Sequence, residues 1–221
     1  MLMEQLDPML AVPELLVNVM SRGFSYIITR DFGFAPNPFH GVLTLATCKP
    51  KIRKVAQVGD YLIGNSNKAA GNKLIYMAKV DEITTFDQYW IDPRFQCKKA
   101  TMNGSFKTLY GDNIYHHEKG KWIQANSHHS LENGLENHAN LEKDTGITDH
   151  VLICREFFYL GQSMIDIPDI FPNCVHRYIG HHEVSEDECV ALWHYLEEAF
   201  PEMGLIDIPN LFRSFTRYNG K

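Results

Sequence analysis

Hydrophobic and polar positions change rhythm several times along the chain, and no single rhythm lasts long. The run GFSYIITR (23–30) is apolar, aromatic and β-branched, which predicts a strand. YLIG (61–64) follows a Gly59-Asp60 turn and predicts another, closed by Asn65, Ser66 and Asn67. In LIYMAKVDEIT (74–84), Leu74, Tyr76, Ala78 and Val80 alternate with Ile75, Met77 and Lys79, the two-residue period of one further strand at hairpin-like spacing. TFDQYWIDPRF (85–95) predicts a short helix stopped by Pro93. DNIYHHEKGKWIQAN (112–126) reads as strand, turn and strand, and HVLICREFFYLG (150–161) as one strongly apolar strand. GVLTLATC (41–48) fits a strand or a short helix. The best-signalled helix starts at a capping box, Ser185 with Glu188; Cys189, Leu192, Trp193, Leu196 and Phe200 then recur at helical spacing until Pro201.

The segments between carry their own signals. Gly33, Pro36, Pro38 and Gly41 punctuate a stiff loop. SHHSLENGLENHANLEKDTG (127–146) is polar, Asn-rich and without core periodicity, which predicts an excursion loop; loops of that length are often functional. Prolines interrupt the first 21 residues, which suit a helical appendage (1–21) ahead of one domain (22–221). Short strands alternating with short helices, without long βαβ units, predict an α+β fold: a small mixed sheet or open barrel, helices outside it, and a C-terminal amphipathic helix.

Charge changes this picture more than composition does. The net charge is −6, yet residues 22–107 hold 13 Lys/Arg against six Asp/Glu, and the rest holds eight against 21. A positive lobe on an acidic chain suits phosphate binding at one place. Five scattered cysteines without CxxC spacing predict reduced thiols in a cytoplasmic protein, and no apolar run is long enough for a membrane span.

The positive lobe centres on TRDFGFAPNPFHGVLTLATCKPKIRK (29–54), where a proline-stiffened aromatic loop adjoins four cations. A base removed from its stack needs an aromatic face and a few fixed donors and acceptors. Phe32, Phe34, Phe39, Trp90, Tyr115 and Trp122 are candidates for that face; Asp31, Asn65, Ser66 and Asn67 for the base edge; Lys49, Lys51, Arg53 and Lys54 for phosphates. The competing reading is that the aromatics cap the core. Histidines come in pairs (116–117, 128–129, 181–182), and neighbours in a strand face opposite ways, so one of each pair could serve a site. Asp112, His116 and His128 (or His117 and His129), with Gln124, could converge for acid–base work if the strands around 112–126 pair. Metal-ligand spacings are absent, as are phosphate-loop and dinucleotide motifs, so neither metal nor cofactor is expected. Cys48, beside Lys49, fits a buried structural thiol better than a nucleophile.

The 29–54 stretch, with QVGDYLIGNSN, LIYMAKVDEITTFDQYW, DNIYHHEKGKWIQ and VLICREFFYLG, resembles the second type of nucleotide-modification-associated domain over residues 23–180. That resemblance implies a setting in phage or bacterial DNA hypermodification. VGDYLIG…LIYMAKV is also similar to the opening strands of PUA-like (EVE, ASCH, YTH) domains, which implies a barrel with an aromatic-walled pocket for a modified base. Together they imply recognition of a modified nucleobase, nucleotide or flipped base in DNA. Alternatives are an enzyme of nucleotide or base modification working through Asp112, His116 and His128, and an interaction subunit of a phage or anti-phage complex.

Overall fold

The computed structural model describes residues 20–220, so all but the last two residues of the expected appendage lie outside the described residues. In chain order the elements are β1 (Gly23–Ile27), β2 (Leu43–Leu45), α1 (Pro50–Val55), β3 (Tyr61–Asn65), β4 (Leu74–Lys79), β5 (Glu82–Thr85), α2 (Phe86–Ile91), α3 (Phe106–Leu109), β6 (Tyr115–Glu118), β7 (Lys121–Gln124), α4 (His138–Thr145), β8 (His150–Cys154), β9 (Phe157–Tyr159), β10 (His181–Val184), α5 (Glu186–Ala199) and β11 (Gly204–Leu205). They form an α+β fold. A six-stranded mixed sheet runs β10-β1-β3-β4-β9-β11; a three-stranded sheet runs β2-β8-β5; β6 and β7 make a hairpin. The large sheet ends at β10 and β11 and does not close into a barrel.

Side-chain alternation explains the layering. In β1 and β3, a parallel pair, Phe24, Tyr26 and Leu62 share one cluster with Leu43, Leu45, Ile52, Leu152 and Cys154. On the opposite face, Tyr61, Ile63, Met77 and Phe158 join Leu192, Trp193 and Leu196 of α5. Strands buried on both faces read as continuous apolar runs, as these do. Ser185 caps α5 by accepting from the Glu188 N–H, and the chain continues past that helix into β11 and a tail. In the smaller sheet Val151 and Ile153 of β8 face a third cluster with Phe34, Phe86, Tyr89 and Tyr115.

Two runs expected to be single strands are each two. The 74–84 run splits into β4 and β5, and the 150–161 run into β8 and β9, each half in a different sheet. The breaks face each other: the Asp81 N–H donates to Ile153 O, and the Asp81 carboxylate accepts from the Arg155 N–H. Periodicity carries no mark of a strand changing sheets. The expected excursion loop also holds α4, capped by Asn137 accepting from the Asn140 N–H.

Gly64 shows how tightly the large sheet is packed. A Cβ there would lie 2.2 Å from Tyr76 Cε1 and 2.7 Å from Ile28 Cδ1. Tyr76 cannot swing away freely, because its hydroxyl bonds that of Tyr26 inside the core. Gly64→Ala is therefore expected to cost about 2–3 kcal/mol, read as a lower urea midpoint with unchanged slope.

Candidate active site

The turn between β2 and α1 is the centre of the site. Cys48 and Lys49 both adopt left-handed backbone, with φ of 56° and 41°. Two consecutive non-glycine residues in that region store strain, and such strain concentrates where a side chain must be aimed. Pro50 then opens α1, where its missing N–H costs nothing. The surroundings hold the turn. The Cys48 N–H donates to Asp144 Oδ1 (2.7 Å), and Arg53, fully buried, donates to the carbonyls of Cys48 (2.9 Å), His150 (2.6 Å) and Asp144.

Cys48 Sγ lies 3.8 Å from His129 Nε2, and His129 Nδ1 lies 2.8 Å from Asp144 Oδ2. Tyr115 donates to the same oxygen at 2.9 Å. The three residues come from the β2–α1 turn, the 127–137 segment and α4, and buried polar groups lock each one. Gln124 Nε2 donates to His129 O (3.3 Å) and Asn140 Nδ2 to the same carbonyl (2.9 Å). The tail is tied on through Tyr218, whose N–H donates to His128 O (2.8 Å).

Electrostatics separate the two histidines. Burial alone would lower the His129 pKa, but the Asp144 carboxylate and Cys48 outweigh it and raise it to about 9. Burial likewise works against the Asp144 charge, yet His129, Arg53 and the Cys48 N–H hold its carboxyl below the usual range. His128 goes the other way: burial first, then the nearby charges of His129, Arg30 and Arg217, push it down to about 3. Its Nδ1 bonds Thr216 O. At neutral pH one histidine is an imidazolium and its neighbour a neutral imidazole, the separation that assigns acid and base roles.

Asp144 lies buried behind His129, while Cys48, His128 and His129 line a cleft of about 500 Å³. Its walls include Arg30, Lys49, Lys51 and Lys143, the aromatics Phe32, Phe34 and Tyr218, and no Asp or Glu. An acid-free, cationic hollow on a chain of net charge −6 selects for an anion.

The residues singled out in the sequence are distributed unevenly. Phe32, Phe34, Lys49, Lys51 and His128 line this cleft. Asp31, Ser66 and Asn67 line a neighbouring hollow. Arg53 is buried and spent on three carbonyls, so it is not placed as a phosphate ligand; Lys54 is exposed outside the cleft. Phe39 is buried against Phe212, and Asn65 is buried donating to Ser25 and Cys174 O. Tyr115 serves Asp144, and Trp122 packs on Phe86. The expected convergence of Asp112, His116 and His128 does not occur. Asp112 is buried accepting from Thr44 and Tyr89, while His116 stacks on Trp90 at 3.9 Å and bonds Glu118. His117 bonds Asp87 instead. Arg30, Lys143, Tyr218 and Asp144 carried no local signal. Cys48, expected to be buried, is half-buried, and its left-handed turn and its partner His129 both depend on tertiary structure.

Among the described residues all five cysteines are free, no His/Cys/Asp/Glu cluster suits a metal, and no helix is long and apolar enough to cross a membrane.

Fold and site together define an α+β protein whose basic cleft is lined by Cys48 and His129, with Asp144 buried behind them. The model of the family described as nucleotide modification associated domain 2 matches residues 20–215, and the chain belongs to that family. Membership ties the chain to nucleotide modification. No curated protein and no solved structure matches it.

Proposed function

We propose that the cleft is the active site of a nucleotide- or DNA-base-modifying enzyme that works by cysteine nucleophilic catalysis. One observation carries this reading: Cys48 and His129 stand together at the wall of the cationic cleft with Asp144 buried behind His129, in nucleophile–acid/base–orienter order. In the proposed step the Cys48 thiolate lone pair forms a C–S bond to an electrophilic carbon of the substrate. The displaced π pair, held on the substrate, returns to expel an amino group that leaves as ammonia with the His129 Nε2 proton; neutral His129 then takes a proton from water, whose oxygen adds to the same carbon and expels the Cys48 thiolate. Asp144 keeps His129 oriented and charged, and neutral His128 is available as an acceptor. The aromatic walls and four cations would hold base and phosphate.

Iodoacetamide labelling, followed by peptide mass spectrometry, tests the site directly, with exposed Cys97 as the internal reference. Cys48 is expected to react faster than Cys97 near neutral pH and to keep that advantage up to about pH 9, where His129 loses its proton. His129→Ala should slow Cys48 about hundredfold, and a mixture of deoxynucleoside monophosphates should protect it. Equal labelling of the two thiols, unaffected by His129→Ala, would remove the nucleophile from the reading.

Phe32, Phe34 and Tyr218 around the cations also favour a second reading, a PUA-like reader that binds a modified base without changing it. A nucleotide that stabilises the protein and is recovered at unchanged mass, with Cys48→Ala binding as tightly as the native chain, selects that reading.

A further inference from the structure

The cleft does not end at its own walls. Ile28 and Thr29, at the end of β1, line both it and a second hollow of about 340 Å³. We infer that the second hollow is the subsite for the adjoining nucleotide of a single-stranded polynucleotide whose reacting nucleotide sits over Cys48. The inference rests on the reading of the first cleft and extends it to a substrate class: a phosphodiester strand rather than a free mononucleotide.

The hollow's polar groups are arranged to leave specific valences open. Asn67 Oδ1 accepts from the Ala70 N–H, which leaves its Nδ2 as a donor. Asn210 Nδ2 is spent on Asp31 and Gly161 O, which leaves its Oδ1 as an acceptor. Asp31 is nearly fully buried, and its oxygens are taken by Tyr159 and by the N–H and Nδ2 of Asn210; it fixes Asn210 rather than facing the hollow as a free carboxylate. Ser66 is closed off by Lys73 N and Ala70 O. One open donor and one open acceptor among apolar walls (Ile28, Ile75, Met164, Leu211) is how a site reads a base edge.

Arg213 completes the pattern. It lines the second hollow, is exposed, and among the described residues its guanidinium has no hydrogen-bond or ion-pair partner. With Arg30 and Lys51 in the first hollow, it leaves cations on both sides of the Ile28-Thr29 divide. A mononucleotide fills one hollow and leaves the other, with its cation, unused. A strand uses both, each further base adding contact and each phosphate meeting a cation.

The test compares affinities by fluorescence anisotropy competition for three probes: a mixture of the four deoxynucleoside monophosphates, a random-sequence single strand of about eight nucleotides, and the matching duplex. The full chain is used throughout. The single strand should bind at least about tenfold more tightly than the monophosphates. Arg213→Glu, and separately Asn67→Asp, which keeps the capping oxygen but loses the donor, should each erase most of that gain while monophosphate affinity stays as it was. Equal affinity for strand and monophosphates, or a gain that neither substitution touches, overturns the second subsite and leaves the first cleft standing as a mononucleotide site. Binding of two monophosphates per chain overturns it in favour of a free second nucleotide. A chain in which none of the probes binds or protects Cys48 from iodoacetamide overturns both readings.

Discussion

Asp144→Ala is expected to lower the stability of the fold by about 3–5 kcal/mol and to strip Cys48 of its fast labelling in the same stroke. The carboxylate is fully buried and accepts from three donors: the Cys48 N–H, His129 Nδ1 and the Tyr115 hydroxyl. Removing it strands the charge on His129, next to a buried Arg53 whose guanidinium donates to the backbone carbonyls of Cys48, His150 and Asp144. It also frees the Cys48 N–H, and with it the left-handed turn that aims the thiol. Asp144→Asn separates the two consequences. Its amide oxygen can still accept from the Cys48 N–H, so the turn and most of the stability should survive. Its Nδ2 meets a ring nitrogen that must no longer carry a proton, which forces His129 into the wrong tautomer. Denaturant unfolding and Cys48 labelling on the same two variants check this. An asparagine variant that is stable but labels slowly supports a positioning role for Asp144; one that labels like the native chain reduces Asp144 to a structural residue.

Legibility of the molecule in its sequence followed the range of the interaction. Strands and helices set by local period, such as β1, β3 and α5, stand where the apolar pattern puts them, because that pattern is their burial. The passages from β4 to β5 and from β8 to β9 were not legible, because an apolar run looks the same whether it continues in one sheet or crosses to another. The site follows the same rule. The aromatic and cationic residues beside Cys48 are neighbours in sequence, so Phe32, Phe34, Lys49 and Lys51 could be picked out together, and they line the cleft. Arg53 could not be told from them by composition; on α1 it points into the core, and only the three carbonyls waiting there show why. The partners of Cys48 come from 81 and 96 residues further on, on a segment with no core periodicity at all.

Acid is expected to expose the mismatch between the two neighbouring histidines. His128 titrates near 3 in the fold and near its ordinary 6.5 when unfolded. Below 6.5 the unfolded chain therefore takes up a proton that the native chain refuses, and stability attributable to His128 is lost as the pH falls towards 3. Over that span the loss is about 4 kcal/mol. The native chain's own pH curve will not show this cleanly. Burial pushes Asp112 up to about 6, which favours the fold in acid, and the depressed carboxyl of Asp144 costs stability as the pH falls from the ordinary carboxylate value, 3.8, towards its lower folded value. Both groups remain in His128→Asn, so the difference between the two chains isolates His128. Near pH 7 the variant should be the less stable, having lost ring contacts to Phe32, Phe34 and Tyr110. Near pH 3.5 the gap should close or reverse, a change of about 4 kcal/mol in urea unfolding free energy. A gap that stays constant over that range would mean that His128 takes its proton inside the fold as readily as outside it, and the acid/base division between His128 and His129 would fall with it.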